Sequence, residues 1–395
     1  MYKHGIERVH VELTDKCNAE CPGCFRSHYG GIVDSNIKNV QLDLNYFKLL
    51  GEDFIKSISY WLFCGTRGDP MSCTEIVDIL EYIKSINKNA GVDVLTNGGM
   101  GSAKQFRRMS DILHGNESGF GRGSMTFSVD GWEDTNHIYR KNVKWDKVMR
   151  NILAYKEGPG LAQWDFLVFE HNVDDIPKVR EFCKEHDIHL KLKQPFGFAN
   201  GPSHPNLDTM AVHSRKDGSY MYEIYPDTKT KQYDYDFYAK ETTKNDFYGK
   251  NVIAKSARYR TQLRTRTEGY DDMYSYYWLR EHNDLNVDCH AIRSKELFID
   301  CDGMFLPCCF LGGSWFAKDN QLRDMVGDES LLIPSETNSV EDILQSKFFN
   351  KTIPDGIEGN LKDPVGHCVK CVQTCGKWPD RSHFNMEGDT SGDYA

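Results

Sequence analysis

The chain has 395 residues and a mass of 45.4 kDa, enough for one large domain or two ordinary ones with a buried core. Hydrophobic residues make up 39% and charged residues 27%, which excludes a disordered or collagen-like chain. The net charge of −10 argues against nucleic-acid binding across the whole chain, and the longest apolar runs are too short to cross a membrane. The first residues lack the apolar stretch of a signal peptide, so we expect a cytoplasmic protein.

Short strand-like runs alternate with helical patterns through the first half of the chain. We predict strands at 6–13, 58–64, 92–97, 124–129, 165–170 and 189–194, and helices at 74–86, 144–155 and 174–186. This alternation is typical of an α/β protein with a parallel sheet, either flat or curled into a partial barrel. Ligands of such sheets bind at the carboxyl ends of the strands, and the unusual residues of this chain fall there.

Ten of the thirteen cysteines lie in two clusters, which in a chain without a secretion signal indicates metal or redox sites. Cys17, Cys21 and Cys24 form a C-x3-C-x2-C triplet directly after the first predicted strand. Three thiolates on a short loop suit a [4Fe–4S] cluster with one iron left open, because such clusters usually take four cysteines. A structural zinc site with a distant fourth ligand fits the spacing equally well. The triplet alone leaves both interpretations open.

The triplet and the segments that follow it resemble the radical S-adenosylmethionine (radical SAM) superfamily. The segment 65–70, GTRGDP, stands where that family has a GGEP motif, whose backbone and acid hold the methionine amino group. TNG at 96–98 matches the end of the family's third strand, and SVDG at 128–131 with HIYRKN at 137–142 matches its fourth strand and helix. The resemblance covers residues 6–198 and implies a partial (β/α)6 TIM-like barrel.

The resemblance also implies which residues hold the cofactor. The candidates for S-adenosylmethionine (SAM) binding are Gly65, Gly68, Asp69, Pro70, Thr96, Asn97, Ser128, Asp130 and Arg140. Among these, Ser128 and Asp130 are expected to face the ribose, and Arg140 the methionine carboxylate. The implied reaction is reductive cleavage of SAM to a 5′-deoxyadenosyl radical that abstracts hydrogen from a substrate. A reductase, ferredoxin or flavodoxin is the expected electron donor.

Two positions depart from the family pattern. Gly23 stands where the family has an aromatic or large apolar residue near adenine. We therefore expect Phe25 or the backbone near 194–196 to hold adenine. Asp69 replaces the usual glutamate and is one methylene shorter, so its loop must approach the amino group more closely.

The last quarter of the chain holds Cys289, Cys301, Cys308, Cys309, Cys368, Cys371 and Cys375. The spacing from Cys289 through Gly303 to Cys308 predicts a β-hairpin that turns at Asp302-Gly303 and brings the two cysteines together. A zinc ribbon would also use paired cysteines. With the barrel upstream, the pattern resembles the SPASM/twitch extension of radical SAM enzymes, which carries auxiliary iron–sulfur clusters.

The resemblance implies at least one auxiliary [4Fe–4S] cluster. Its expected ligands are Cys289, Cys308, Cys368 and Cys371, with Cys375 as a rival for the fourth place or as an extra ligand. The ending C-x2-C-x3-C leaves too few cysteines for two complete clusters unless Cys301 and Cys309 both serve. Cys309 should point to the opposite face of a strand from Cys308, so we expect one of them to be a bystander.

Residues 199–288 break the alternation. This stretch is polar, holds twelve tyrosines between Tyr220 and Tyr277, and contains the basic run 257–266. We interpret it as a lid over the barrel, with a solvated decoration as the alternative. The expected domains are the barrel at 1–198, the insert at 199–288 and the auxiliary-cluster domain at 289–395.

These features favour a radical SAM enzyme that modifies a peptide or protein. The alternative is twitch-type oxidation of a small molecule. The early first strand leads us to expect no N-terminal peptide-recognition domain, which favours this alternative, but a separate protein can recruit a peptide. RNA modification through the basic run and a non-catalytic iron–sulfur protein rank lower. His171, Asn172 and Lys193 either face the cavity or are structural polar residues.

Overall fold

The computed structural model describes residues 5–115, 123–193, 195, 199–200, 208–227, 286–362 and 366–377. Most of the insert, including the basic run 257–266, lies outside these residues, so its interpretation as a lid stays a prediction. None of the described helices is long and apolar enough to span a membrane.

Six parallel strands follow one another across the main sheet in chain order. They are β1 (Arg8–Val11), β2 (Tyr60–Phe63), β3 (Gly91–Thr96), β4 (Ser124–Ser128), β5 (Leu161–Leu167) and β6 (Ile188–Lys193). All six predicted strands are confirmed, and the fold is the expected partial barrel. The fifth strand begins at Leu161 instead of residue 165, because its first residues pair with the start of β4.

Helices connect these strands. They are α1 (Leu44–Leu49), α2 (Glu52–Ser57), α3 (Ile76–Ile86), α4 (Ala103–His114), α5 (Asn136–Tyr139), α6 (Trp145–Lys156) and α7 (Ile176–Glu185). The three predicted helices correspond to α3, α6 and α7. The helix α4 was not predicted, although Ser102 and Gln105 form a capping box at its start.

The two faces of the main sheet differ in chemistry. The helices pack on its apolar face, where Phe47 of α1 meets Trp61 of β2 and Phe182 of α7 meets Trp164 of β5. Because strand side chains alternate between faces, the residues between these positions lie on the inner face. That face carries polar side chains at His10, Glu12, Asp93, Thr126, Ser128, Gln163 and Asp165. The barrel therefore encloses a polar interior.

The remaining strands lie after the barrel. They are β7 (Ala199–Asn200), β8 (Asp208–His213), β9 (Tyr220–Ile224), β10 (Asn286–Val287), β11 (Glu296–Ile299), β12 (Phe305–Leu306) and β13 (Gly376–Lys377). The first three form an antiparallel sheet, and β10 pairs with β13. The C-terminal helices are α8 (His290–Arg293), α9 (Cys309–Phe316), α10 (Asn320–Val326), α11 (Val340–Gln345), α12 (Ile353–Glu358) and α13 (Val369–Cys375).

The predicted C-terminal hairpin is present as β11 and β12, which pair in antiparallel fashion. Gly303 in its turn has a φ of +86°, a conformation that glycine adopts without strain. The strand β11 also pairs in parallel with β1, which extends the main sheet to eight strands. The sheet thus runs from the predicted barrel domain into the predicted cysteine-rich domain.

Candidate active site

The cysteine triplet lies on the loop after β1, and none of its thiols forms a disulfide. Each sulfur faces an N–H donor. The donors are the Ala19 backbone and the Asn97 side chain for Cys17 (3.4 and 3.6 Å), Arg140 for Cys21 (3.8 Å), and the Arg26 backbone for Cys24 (3.4 Å). Such contacts stabilise negative charge on sulfur and tune metal-bound thiolates.

The surroundings of the triplet fit an iron–sulfur cluster. Burial raises the pKa of all three thiols, that of Cys21 to about 12, so the free thiols are neutral without a metal. Within the described ranges, no three His, Cys, Asp or Glu side chains converge on a single metal ion. Once metal binding removes their protons, these three thiols with N–H donors in place supply the soft, anionic donor set that a cluster needs.

The loop after β2 approaches the triplet through its backbone. A Cβ atom on Gly68 would lie 1.8 Å from the carbonyl oxygen of Thr14, and one on Gly65 would lie 2.2 Å from the Gly68 oxygen. Only glycine allows these approaches. The sulfur of Cys24 lies 3.9 Å from the carbonyl oxygen of Thr66 on this loop. The loop thus presents the Thr66 carbonyl group beside the Cys24 thiol.

Asp69 fixes this loop to the end of β3. Its Oδ1 accepts a hydrogen bond from the Met71 backbone (2.9 Å), and its Oδ2 accepts one from the Asn97 backbone (2.7 Å). The Thr96 hydroxyl donates to both oxygens. Burial raises the pKa of Asp69, and these hydrogen bonds oppose the rise. Asp69 therefore caps the 3-10 turn Pro70–Ser72, and its two oxygens are engaged by the protein's own donors.

Asp130 and Arg140 form a buried ion pair beside the triplet. Asp130 is fully buried; its Oδ2 lies 2.6 Å from Arg140 Nε, and its Oδ1 accepts a hydrogen bond from the Leu167 backbone (2.7 Å). Asp130 therefore positions Arg140 in this structure instead of facing a ribose as expected. Ser128 is half-buried, and its hydroxyl has no hydrogen-bond partner among the described residues, which leaves it open to a ligand.

The space beside Gly23 is filled by other side chains. A Cβ atom on Gly23 would lie 2.7 Å from the Tyr139 hydroxyl and 3.5 Å from the methyl group of Met210, which comes from β8. Phe25, an expected neighbour of adenine, is 54% exposed. Residues 194 and 196, the other expected neighbours, lie outside the described residues.

Sequence reasoning assigned no role to Glu12. Its fully buried carboxylate pairs with the Arg67 guanidinium (2.8 Å) and also accepts hydrogen bonds from the Arg67 backbone and the Thr66 hydroxyl. Arg67 in turn lies over the ring of Phe316 in α9. This pair ties β1, the loop after β2 and the cysteine-rich region together. In the sequence, His10 and Glu12 alternate with the apolar residues of the first strand. This pattern could have indicated that Glu12 lies on the inner face of the sheet.

The three polar residues expected either to face the barrel cavity or to be structural have different surroundings. Asn172 is fully buried and accepts a hydrogen bond from the Phe169 backbone (2.7 Å), which makes it structural. The His171 ring stacks on Phe169, and burial lowers its pKa to about 4. Lys193 Nζ lies 2.5 Å from the Asp165 carboxylate on the inner face of the barrel. Lys193 alone of these three thus carries charge into the barrel.

Four of the C-terminal cysteines line one small cavity. They are Cys289, Cys308, Cys371 and Cys375, and the walls between them include Val287, Phe310, Leu311, Ile353 and Ile357. Cys368, an expected ligand, is buried but does not line the cavity. Neither Cys301 nor Cys309 lines it. The hairpin does bring Cys289 and Cys308 to one place, as predicted.

No protein-family model matches the chain. The chain is similar to the probable GTP 3′,8-cyclase of Methanocaldococcus jannaschii, with 22% identity over 184 residues, 46% of this chain and 56% of that protein. It therefore spans little more than half of that relative's length. The motifs lie at the ends of neighbouring strands, as the resemblance to the radical SAM superfamily implies.

The chain is also similar to two solved structures. SuiB of Streptococcus suis bound to S-adenosylmethionine has 12% identity and a TM-score of 0.46, over 93% of this chain and 77% of that one. The protein anSMEcpe with bound AdoMet has 14% identity and a TM-score of 0.47, over 89% and 81% of the two chains.

Proposed function

We propose that this protein is a radical SAM enzyme that cleaves SAM at the Cys17–Cys24 loop and abstracts hydrogen from a peptide or protein. One observation carries the proposal. Three free thiols, each beside an N–H donor, lie near the loop 65–68 and the cation of Arg140. This loop, which we call the backbone cradle, needs glycine at Gly65 and Gly68 because of its close backbone contacts. A metal-binding loop without SAM would need neither the cradle nor the cation.

Each part of the site has a proposed task. When bound, the [4Fe–4S] cluster supplies the electron that cleaves SAM, delivered by a reductase, ferredoxin or flavodoxin. The carbonyl groups of the loop 65–68 accept hydrogen bonds from the methionine ammonium. Arg140, held by Asp130, pairs with the methionine carboxylate, and the Ser128 hydroxyl binds the ribose. The polar inner face of the barrel receives the reacting part of the substrate.

The described part of the insert supports a peptide substrate. The sheet of β7, β8 and β9 packs on the triplet loop, where the His213 backbone donates to the Tyr29 carbonyl group (2.9 Å). Among the described residues, β9 is the last strand of this sheet, and its Tyr220 and Met221 are 47% and 51% exposed. Exposed large apolar side chains beside a site can contact a protein or peptide partner. We propose that Tyr220 and Met221 contact a peptide substrate beside the site.

We further propose an auxiliary [4Fe–4S] cluster in the cysteine-lined cavity. The cavity combines four thiols with an apolar lining, and such surroundings exclude solvent from a cluster and influence its reduction potential. Electron exchange with a substrate intermediate is a suitable task for a second cluster.

The proposal is tested by anaerobic reconstitution with iron and sulfide, followed by SAM and dithionite. We expect 5′-deoxyadenosine in the wild type and none in Cys21→Ala. A pool of peptides and a pool of small alcohols are then added separately, and mass spectrometry follows the products. A peptide that stimulates 5′-deoxyadenosine and changes mass supports the proposal. Absence of 5′-deoxyadenosine in the reconstituted wild type would overturn the proposal. If only an alcohol stimulates 5′-deoxyadenosine formation, the substrate is a small molecule instead of a peptide.

A further inference from the structure

The backbone cradle is held from one side by Glu12, the residue that directly follows β1. The Arg67 backbone donates to Glu12 Oε1 (2.7 Å), and the Thr66 hydroxyl donates to Glu12 Oε2 (2.9 Å). The Thr66 carbonyl group in turn lies 3.9 Å from the Cys24 sulfur. A carboxylate at the end of a central strand therefore fixes two consecutive residues of the cradle, one of which faces the triplet.

The Arg67 side chain supplies the buried carboxylate with a partner. Arg67 Nε and Nη2 lie 3.1 and 2.8 Å from Glu12 Oε2, and the guanidinium carbon lies 4.4 Å from the centre of the Phe316 ring. Burial alone would lower the pKa of Arg67, but the adjacent Glu12 raises it above its usual value, so the guanidinium stays charged. A buried carboxylate needs such a partner, and this pair lets Glu12 remain inside the protein as an acceptor.

Other hydrogen bonds connect the same loop to the triplet. Arg26 Nη1 donates to the Arg67 carbonyl group (3.3 Å), while the Arg26 backbone donates to the Cys24 sulfur (3.4 Å). The Asp69 backbone donates to the carbonyl group of Lys16, one residue before the triplet (2.8 Å). The position of the cradle relative to the thiols is therefore set by specific hydrogen bonds from both sides.

We infer that Glu12 is a positioning residue for SAM: by accepting hydrogen bonds from Thr66 and Arg67, it holds the cradle in place for the methionine ammonium. This inference rests on the proposed function, since it presupposes that SAM binds at the cradle. Glu12 acts through the loop, because both of its oxygens are engaged by the protein and its side chain is fully buried. A purely structural ion pair would affect the stability of the fold and leave SAM affinity unchanged.

Two double variants separate the hydrogen bonds from the buried charges. Glu12→Gln/Arg67→Met keeps an acceptor oxygen for the loop, whereas Glu12→Leu/Arg67→Met removes it at similar side-chain volume. Both variants lack the two charges of the pair, so neither leaves an unpaired buried ion. After anaerobic reconstitution, equilibrium dialysis should show SAM binding within about threefold of the wild type for the glutamine variant, and about tenfold weaker for the leucine variant. The iron content of the two variants should be equal.

Ser110→Ala is the matched control. The fully buried Ser110 hydroxyl accepts a hydrogen bond from the Gly160 backbone (2.8 Å) in the connection between α6 and β5, away from the cradle. This change should lower the free energy of unfolding and leave SAM affinity unchanged. Circular dichroism melts identify variants that fail to fold. If the leucine variant does not fold, Thr66→Val, which loses a donor to Glu12, is compared with Thr66→Ser, which keeps it; the valine variant should bind SAM about threefold more weakly than the serine variant.

Equal SAM affinity in the glutamine and leucine variants would overturn the inference, and so would equal affinity in the valine and serine variants where these decide. An equally large loss of affinity in Ser110→Ala would overturn it too, because affinity would then follow general stability. In each of these cases SAM binding by the wild type leaves the proposed function intact. A reconstituted wild type that binds no SAM would instead contradict the proposed function, and with it this inference.

Discussion

The two cysteine-rich regions of this chain differ in what surrounds the sulfur atoms. The N-terminal triplet offers three thiols among polar groups: an amide, an arginine paired with Asp130, and a loop of backbone carbonyl groups. The C-terminal cavity offers four thiols among apolar side chains. A three-thiol site with polar neighbours suits a cluster that binds a ligand, whereas a four-thiol site with an apolar lining suits a cluster that is fully coordinated.

The difference is built into the fold. The triplet lies at the carboxyl end of β1, beside the ends of β2, β3 and β4, where parallel strands leave room for ligands. The cavity lies next to the edge strand β12, between helices and a two-stranded sheet. Position in the fold thus separates a proposed reaction centre from a proposed electron site.

The largest expected effect comes from the triplet itself. Cys21→Ala should abolish 5′-deoxyadenosine formation completely, because a thiol that anchors the cluster beside Arg140 is gone. Cys183→Ala is the matched control, since Cys183 is equally buried but lies on α7, outside both cysteine-rich regions. Chromatography of SAM products checks both variants. Wild-type cleavage by Cys21→Ala would remove the distinction between the two regions.

A second comparison uses one glycine from each region. Gly68→Ala places a Cβ 1.8 Å from a backbone oxygen and should lower the free energy of unfolding by about 3 kcal/mol or more. Gly313→Ala in α9 meets nothing within 4 Å and should raise it by about 0.5–1 kcal/mol. Urea denaturation measures both values. Equal tolerance at the two positions would show that the loop at 65–70 is not a tight cradle.

The ion pair at the triplet gives a third test. Asp130→Asn leaves Arg140 without its buried partner and should lower the free energy of unfolding by about 3 kcal/mol. It should also weaken SAM binding about tenfold, because Arg140 is no longer held in place. The control is Asp111→Asn, which removes an exposed ion pair with Arg107 and should cost about 0.5 kcal/mol. Unchanged SAM affinity in Asp130→Asn, measured by equilibrium dialysis, would contradict the proposal that Asp130 holds Arg140 in place for SAM binding.

The smallest expected effect depends on pH and concerns Asp300 in the C-terminal hairpin. Burial raises its pKa to about 7, so the folded protein binds this proton more tightly than the unfolded protein does. The wild type should therefore lose about 2–3 kcal/mol of stability, relative to Asp300→Asn, as the pH rises from 5 to 8. Urea denaturation at the two pH values checks this. Parallel pH profiles of the two proteins would contradict it.

The sequence predicted those features that depend on local pattern. Alternating apolar residues located all six barrel strands, and Asp302-Gly303 located the C-terminal hairpin. Long-range pairing was not predictable in this way, because no local pattern shows that β11 lies beside β1. The same reason hid the partner of Asp130 and the position of Cys375, since both depend on where distant segments meet.

The central claim is that only the N-terminal cluster binds SAM. Two variants isolate the two proposed clusters: one with Cys17, Cys21 and Cys24 replaced by alanine, and one with Cys308 and Cys371 replaced by alanine. Electron paramagnetic resonance of the reduced proteins is recorded before and after SAM is added. The account predicts that SAM changes the signal of the second variant and leaves that of the first unchanged. A change in the first variant, or none in the second, would contradict it.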